Sequence, residues 1–162
     1  MNVESKLKLS FMETITYKST IDAPAKKVWD TMLNADTYKQ WVSKSWPNSS
    51  YEGKWQEGTQ IRFTGPGGGG TLAELVEVKP HKRVLARHIA ILLDGGKEDR
   101  TSEMAKGWIG ITEAYDFIEE NGKTTVVVTI ETNPEWKKMF DDGWPTALEE
   151  LKKLSERKLQ TA

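Results

Sequence analysis

The chain has 162 residues, 37% of them hydrophobic and 29% charged, which is enough for one domain with a sizeable core and too little for two catalytic domains. It has no cysteine, which removes a thiol nucleophile, a disulfide framework and any cysteine-ligated zinc or iron–sulfur centre. Lys and Arg number 23 against 24 Asp and Glu, a net charge of −1 with both signs interleaved, so no nucleic-acid partner is expected.

Met1–Ser10 lacks the apolar core of a signal peptide, and the longest wholly apolar run, Ile89–Leu93, is far short of the ~20 residues of a membrane-crossing helix. A cytoplasmic location without a membrane span is expected. The first regular element is Glu13–Ile21, where Ile15, Tyr17, Ser19 and Ile21 alternate with Thr14, Thr16, Lys18 and Thr20 as in a strand. Asp22-Ala23-Pro24 then punctuates the chain. A helix is expected over Pro24–Met32, with Val28, Trp29 and Met32 as its apolar stripe, and a second over Asn34–Val42, with Asp36 as cap and Trp41 as buried anchor. Six strands follow over Tyr51–Trp55, Thr59–Thr64, Thr71–Lys79, Arg83–Leu92, Trp108–Glu119 and Thr124–Thr132. The short separators Pro80-His81 and Glu120–Lys123 make antiparallel hairpins. Leu93–Gly107, long and polar, reads as a mobile loop over one end of the sheet. In Asn133–Lys158 the residues Trp136, Phe140, Trp144, Leu148, Leu151 and Leu154 recur at helical spacing, with a kink or break expected before Pro145 and an outer pair of Glu149 with Lys153.

That order of elements is a helix-grip arrangement. Ile21-Asp22-Ala23-Pro24-Ala25-Lys26-Lys27-Val28-Trp29-Asp30, followed by Trp41, resembles the opening motif of the START-like superfamily, which includes the birch-pollen-allergen proteins and the polyketide cyclases. It is most similar to the branch named after the C-terminal domain of the activator of the heat-shock-protein-90 ATPase. Val76–Pro80, the Gly122–Thr124 turn, and Gly143-Trp144 followed by Leu148 and Leu151 match in the same order. The resemblance covers about residues 13–158. It implies an α+β fold, a curved sheet of six or seven antiparallel strands wrapped on a long C-terminal helix, often enclosing a deep cavity for small apolar or amphipathic molecules. Residues 13–159 are read as one START-like domain, and residues 1–12 as an N-terminal extension, ordered or not. The six-residue run Gly65–Gly70 and the proline at 145 depart from the family pattern.

Seven tryptophans are a heavy load of a large amphipathic side chain, read first as core and second as ligand contacts. Gly65–Gly70 lacks the Gly-Lys-Ser/Thr ending of a phosphate-binding loop and reads as a flexible hairpin loop. His81 lies in a turn and His88 mid-strand, with no partner at metal-ligand spacing, and no Gly-x-Ser-x-Gly motif supports a serine nucleophile. Glu113 is the most informative polar residue: along Ile109, Ile111, Glu113, Tyr115 and Phe117 it shares an apolar face, which carries a carboxylate inward to partners such as Arg87, Tyr115 or a tryptophan N–H. Arg87 shares a face with Leu85, Ile89 and Ile91. A structural ion pair is the competing role for both. The leading expectation is a binding protein for a small hydrophobic molecule, monomeric or homodimeric, with Trp46, Trp55, Phe63, Arg87, Ile89, Trp108, Glu113, Tyr115 and Trp144 as site candidates and with no metal or cofactor. The alternatives are a cyclase- or hydratase-like enzyme with Glu113 as acid or base, and a co-chaperone or protein-interaction module. A chaperone partner has no support in the residues.

Overall fold

Alternation along the first strand, β1 (Glu13–Ile21), leaves Ile15, Tyr17 and Ser19 half-buried and Thr14, Thr16 and Lys18 exposed. The computed structural model describes residues 12–157; the extension expected in residues 1–12 lies outside them except for Met12, as do residues 158 and 159 of the expected domain. Two short helices follow, α1 (Ala25–Leu33) and α2 (Ala35–Val42). α1 buries Val28 and Met32, and α2 buries Trp41, whose indole N–H donates to the Met32 carbonyl at 3.1 Å. Extended Asn34 occupies the cap position of α2 without a side-chain hydrogen bond, so Asp36 sits in the first turn instead.

The remaining strands are β2 (Ser50–Glu52), β3 (Gln60–Thr64), β4 (Gly70–Lys79), β5 (Arg83–Leu92), β6 (Glu98–Asp99), β7 (Thr112–Glu120) and β8 (Lys123–Thr132). They form one antiparallel sheet with β1, in the order β1-β8-β7-β5-β4-β3-β2. β7 pairs with the first half of β5, and the two-residue β6 takes the far end at Ile91 and Leu92. A bulge interrupts the β4–β5 ladder: Ala73 faces His88 and Leu72 faces Ala90, so Ile89 is the extra residue.

Leu93–Gly107 is an ordered connection, not the expected loop. It holds a tight turn at Asp94–Gly96, strand β6 and a helix α3 (Glu103–Trp108). The Ser102 hydroxyl accepts from the Ala105 N–H and Asp99 gathers the Thr101 and Ser102 N–H groups, so the start of α3 is capped by its own polar residues. α3 also takes Trp108 and leaves Ile109 exposed, which shortens the expected strand to Thr112. Gly65–Gly70 is likewise a defined turn. A methyl on Gly68 would lie 3.3 Å from the Gly96 nitrogen, so the two glycine turns pack backbone on backbone, and Arg62 donates to the Gly96 carbonyl at 2.7 Å.

The last helix, α4 (Pro134–Glu156), lies across the sheet against β1, α1 and α2. No break occurs at Pro145; the helix runs through it. Gly143 serves packing there. A methyl in its place would run into the Trp46 ring, and Ser45 donates to the Gly143 carbonyl at 2.7 Å, so the segment after α2 is pressed onto this stretch. Lys153 pairs with Glu150, not Glu149, at 3.5 Å, and Lys44 reaches Glu150 at 2.7 Å. The whole is an α+β helix-grip fold. No described helix is long and apolar enough to cross a membrane.

Candidate functional site

Between the sheet and the N-terminal half of α4 lies a cavity of about 480 Å³. β3 contributes Phe63, β4 Gly70 and Thr71, β5 His88 and Ile91, and β7 Glu113 and Tyr115. α3 adds Trp108, and α4 adds Trp136, Phe140 and Trp144. Trp108 and Phe140 stack with ring centroids 6.1 Å apart, and Trp136 meets Trp108 edge-on at 5.1 Å. Met104 and Met139, both exposed, form part of the rim.

A single polar cluster crosses this aromatic wall. The Trp108 indole N–H donates to the Thr71 hydroxyl at 2.6 Å, and that hydroxyl lies 2.9 Å from His88 Nδ1 and 3.2 Å from the Ala90 carbonyl. On the other side of the imidazole, Nε2 lies 3.2 Å from Glu113 Oε2, which also receives the Tyr115 hydroxyl at 3.4 Å. Trp108 N–H can only donate, so the Thr71 hydrogen is left for Ala90 or for His88. When it goes to His88 Nδ1, the imidazole proton sits on Nε2 and points at the carboxylate. His88 is 2% exposed and Glu113 8%, so this pair is taken out of water and each partner satisfies the other. Burial, and then the Glu113 charge, hold the Tyr115 and Tyr38 hydroxyls well above the ordinary tyrosine range.

Six of the nine sequence candidates line this cavity: Trp46, Phe63, Trp108, Glu113, Tyr115 and Trp144. Trp55 does not; it packs against Tyr51 and Phe63 at centroid distances of 5.5 and 6.0 Å. Arg87 and Ile89 lie on the opposite face. Arg87 is exposed and pairs with Glu74 at 2.8 Å, and Ile89 packs with Leu72, Ala90 and Leu92. The alternation Leu85, Arg87, Ile89, Ile91 joins residues of two faces, because the bulge at Ile89 exchanges them: Val84, Ala86 and His88 face inward before it, Ile91 after it.

Sequence reasoning passed over His88, Thr71 and Tyr38. A signal for His88 was present: an arginine and a histidine next to each other on a strand must point to opposite faces, and arginine is the more costly of the two to bury unpaired. Among the described residues no group of three or more metal-ligating side chains gathers.

No curated protein matches the chain closely enough to count as a relative. Among solved structures, the chain is similar to protein MLL2253 from Mesorhizobium loti, with a TM-score of 0.69 and 16% identity over 91% of this chain and 100% of that one. It is similar to the Aha1 dimer from Colwellia psychrerythraea, with a TM-score of 0.67 and 20% identity over 91% and 99% of the two chains. A protein from Staphylococcus epidermidis follows at 0.65 and 23%, over 92% and 93%. At these identities the likeness is one of fold. The model of the Activator of Hsp90 ATPase homolog 1-like proteins matches residues 22–156, from the Asp22-Ala23-Pro24 turn to the end of α4, and the chain belongs to that family.

Proposed function

We propose that the protein binds a small hydrophobic or amphipathic molecule, acting in the cytoplasm, in the cavity between the sheet and α4. The observation that carries this reading is the cavity itself: about 480 Å³ of space walled by aromatic rings and crossed by one polar cluster. Binding sites for small molecules have this composition, with apolar walls supplying affinity and a few fixed polar groups supplying orientation, in volumes of about 300–1,000 Å³. The binding residues in this reading are Trp46, Phe63, Trp108, Glu113, Tyr115 and Trp144, joined by Thr71 and His88.

The test is a library of apolar compounds with varied head groups, read by thermal shift and tryptophan fluorescence. A ligand at 100 times its dissociation constant stabilises the native state by about 2.7 kcal/mol. A library that leaves both the melting temperature and the emission unchanged overturns the reading.

The same cluster favours a second reading, proton transfer on a bound molecule with Glu113 as acid or base. A carboxylate hydrogen-bonded to a buried imidazole and a buried phenol can exchange a proton with a ligand held against it. Glu113→Gln distinguishes the two, since it removes turnover altogether in the second and changes only affinity in the first. Of the two expected oligomeric states, the homodimer has a counterpart in the Colwellia protein. A protein-interaction role draws less support: beyond the cavity rim, the exposed large apolar side chains Val76, Leu93, Ile109 and Ile118 lie on separate segments.

A further inference from the structure

We infer that the cavity selects molecules whose buried head donates a hydrogen bond to Glu113 Oε1, a hydroxyl or a protonated amine, and that it rejects carboxylate heads. This deepens the binding reading above and rests on it. The inference starts from the two oxygens of one carboxylate. Oε2 is occupied by the His88 ring and the Tyr115 hydroxyl. Oε1 meets no donor among the described residues, and it is not one of the unpartnered polar atoms sealed from water, which are Trp55 Nε1, Trp136 Nε1, Trp144 Nε1 and Ser155 Oγ. Since Glu113 is buried everywhere except where it lines the cavity, the free lone pairs of Oε1 open into the cavity.

The charges around that oxygen decide what it accepts. Among the described residues no Lys or Arg lines the cavity. Arg87 is bound to Glu74 on the far face of the sheet, and Arg62 is spent on the Gly96 carbonyl and lies 4.0 Å from Glu98. His88 is already held by Thr71 and Glu113. An anionic head entering here meets a carboxylate with no free cation to offset it. A hydroxyl or ammonium instead fills the vacant acceptor, and the aromatic rings around it attract a cation further. Tyr38 offers the complement. Its hydroxyl has no partner among the described residues, lines the same cavity and is sensitive to the Glu113 charge, so it can donate to the oxygen of a ligand hydroxyl.

The experiment uses three probes with one tail, 1-decanol, decylamine and decanoate, titrated into the full-length protein near neutral pH below their aggregation thresholds and followed by tryptophan fluorescence and calorimetry. A hydrogen bond to a charged acceptor supports about a tenfold preference, so decanol and decylamine are expected to bind at least about tenfold more tightly than decanoate. Glu113→Gln is expected to bring the three within about threefold, by weakening the amine and strengthening the carboxylate. Tyr38→Phe, which leaves the carboxylate in place, is expected to weaken decanol several-fold and decylamine less, and it carries the test should Glu113→Gln fail to fold. Decanoate binding as tightly as decanol, or a head preference that survives Glu113→Gln, overturns the inference and leaves the binding reading standing. No binding of any probe overturns both.

Discussion

The same sheet and the same helix are packed in two different ways at their two ends. Toward the C-terminus of α4, Ile21, Val28, Met32, Val84, Val126 and Leu151 have no exposed surface, and α1 fills the space between helix and sheet. Toward the N-terminus of α4, the filling helix is the six-residue α3, and the walls are rings: Trp108, Trp136, Phe140, Tyr115. Branched aliphatic chains interlock and leave no void, whereas rigid rings braced against each other can span a space without filling it. One scaffold therefore carries a closed end and an open end that holds the cavity, with Trp144 on the boundary, its ring 6.0 Å from Trp41 and 5.7 Å from Tyr115.

The strongest test of that contrast truncates one residue type at each end. Met32→Ala removes a side chain with no exposure and is expected to cost about 3 kcal/mol in urea unfolding, whereas Met104→Ala, at 53% exposure on the rim, is expected to cost no more than about 0.5 kcal/mol. Equal losses would break the comparison. Next in size is the boundary. Gly143→Ala places a methyl against the Trp46 ring, and the overpacking is expected to outweigh the better helix propensity of alanine by about 1 kcal/mol, with a shift in tryptophan emission.

Whether the open end is dry is answered by alkali. The chain has four tyrosines, Tyr17, Tyr38, Tyr51 and Tyr115, and burial holds every one above its ordinary value. A phenol with a raised folded value stabilises the native state fully below the unfolded value near 10 and ceases to do so as the pH climbs toward the folded one. Stability is therefore expected to fall above pH 10, with tyrosinate absorbance appearing together with unfolding. Tyr38 or Tyr115, the two that line the cavity, ionising near pH 10 in a still-folded protein would mean that water fills the cavity freely.

The smallest effect lies at the surface of the closed end. Glu156 accepts from the Asp22 N–H and from Lys152, which hold its carboxyl below the usual range, as Tyr17 and Lys137 do for Asp141. Such groups stabilise above the unfolded carboxylate value and stop doing so as pH falls through the lower folded one. Glu156→Gln is thus expected to lower the melting temperature slightly at neutrality and to leave it nearly unchanged at acid pH, so that less is lost on acidification through the carboxylate range.

The two ends also differed in how far the sequence revealed them. β1, α1 and β8 follow from period and punctuation alone, because one face of each is buried and the other wet. β5 does not, since both of its faces are largely apolar and a single bulge exchanges them; its alternation puts Arg87 and Ile89 inward, where the structure has His88. α3 escaped because six residues with a glycine at the fifth are too few to show a helical period, although Ser102 gave it a proper cap. Pro145 signals a break, yet the helix runs through it, with Trp46 packed on Gly143 two residues before. Glu113 was legible as an inward carboxylate; its open oxygen was not, being a property of three strands at once.

The clasp between the two glycine turns has a kinetic consequence. With Gly68 against Gly95 and Gly96 and a methyl at Gly70 barred by the Phe63 carbonyl, the sheet side of the cavity mouth is fastened through backbone atoms, which move only when the turns separate. The opposite side is edged by Met104 and Met139, whose unbranched chains change rotamer in picoseconds to nanoseconds when exposed. Passage through such a mouth needs no loop to open on the microsecond scale. Molecules of different girth should then exchange at rates governed by how tightly they are held inside, and the lifetime of a complex, not the speed of its formation, becomes the quantity in which the cavity discriminates.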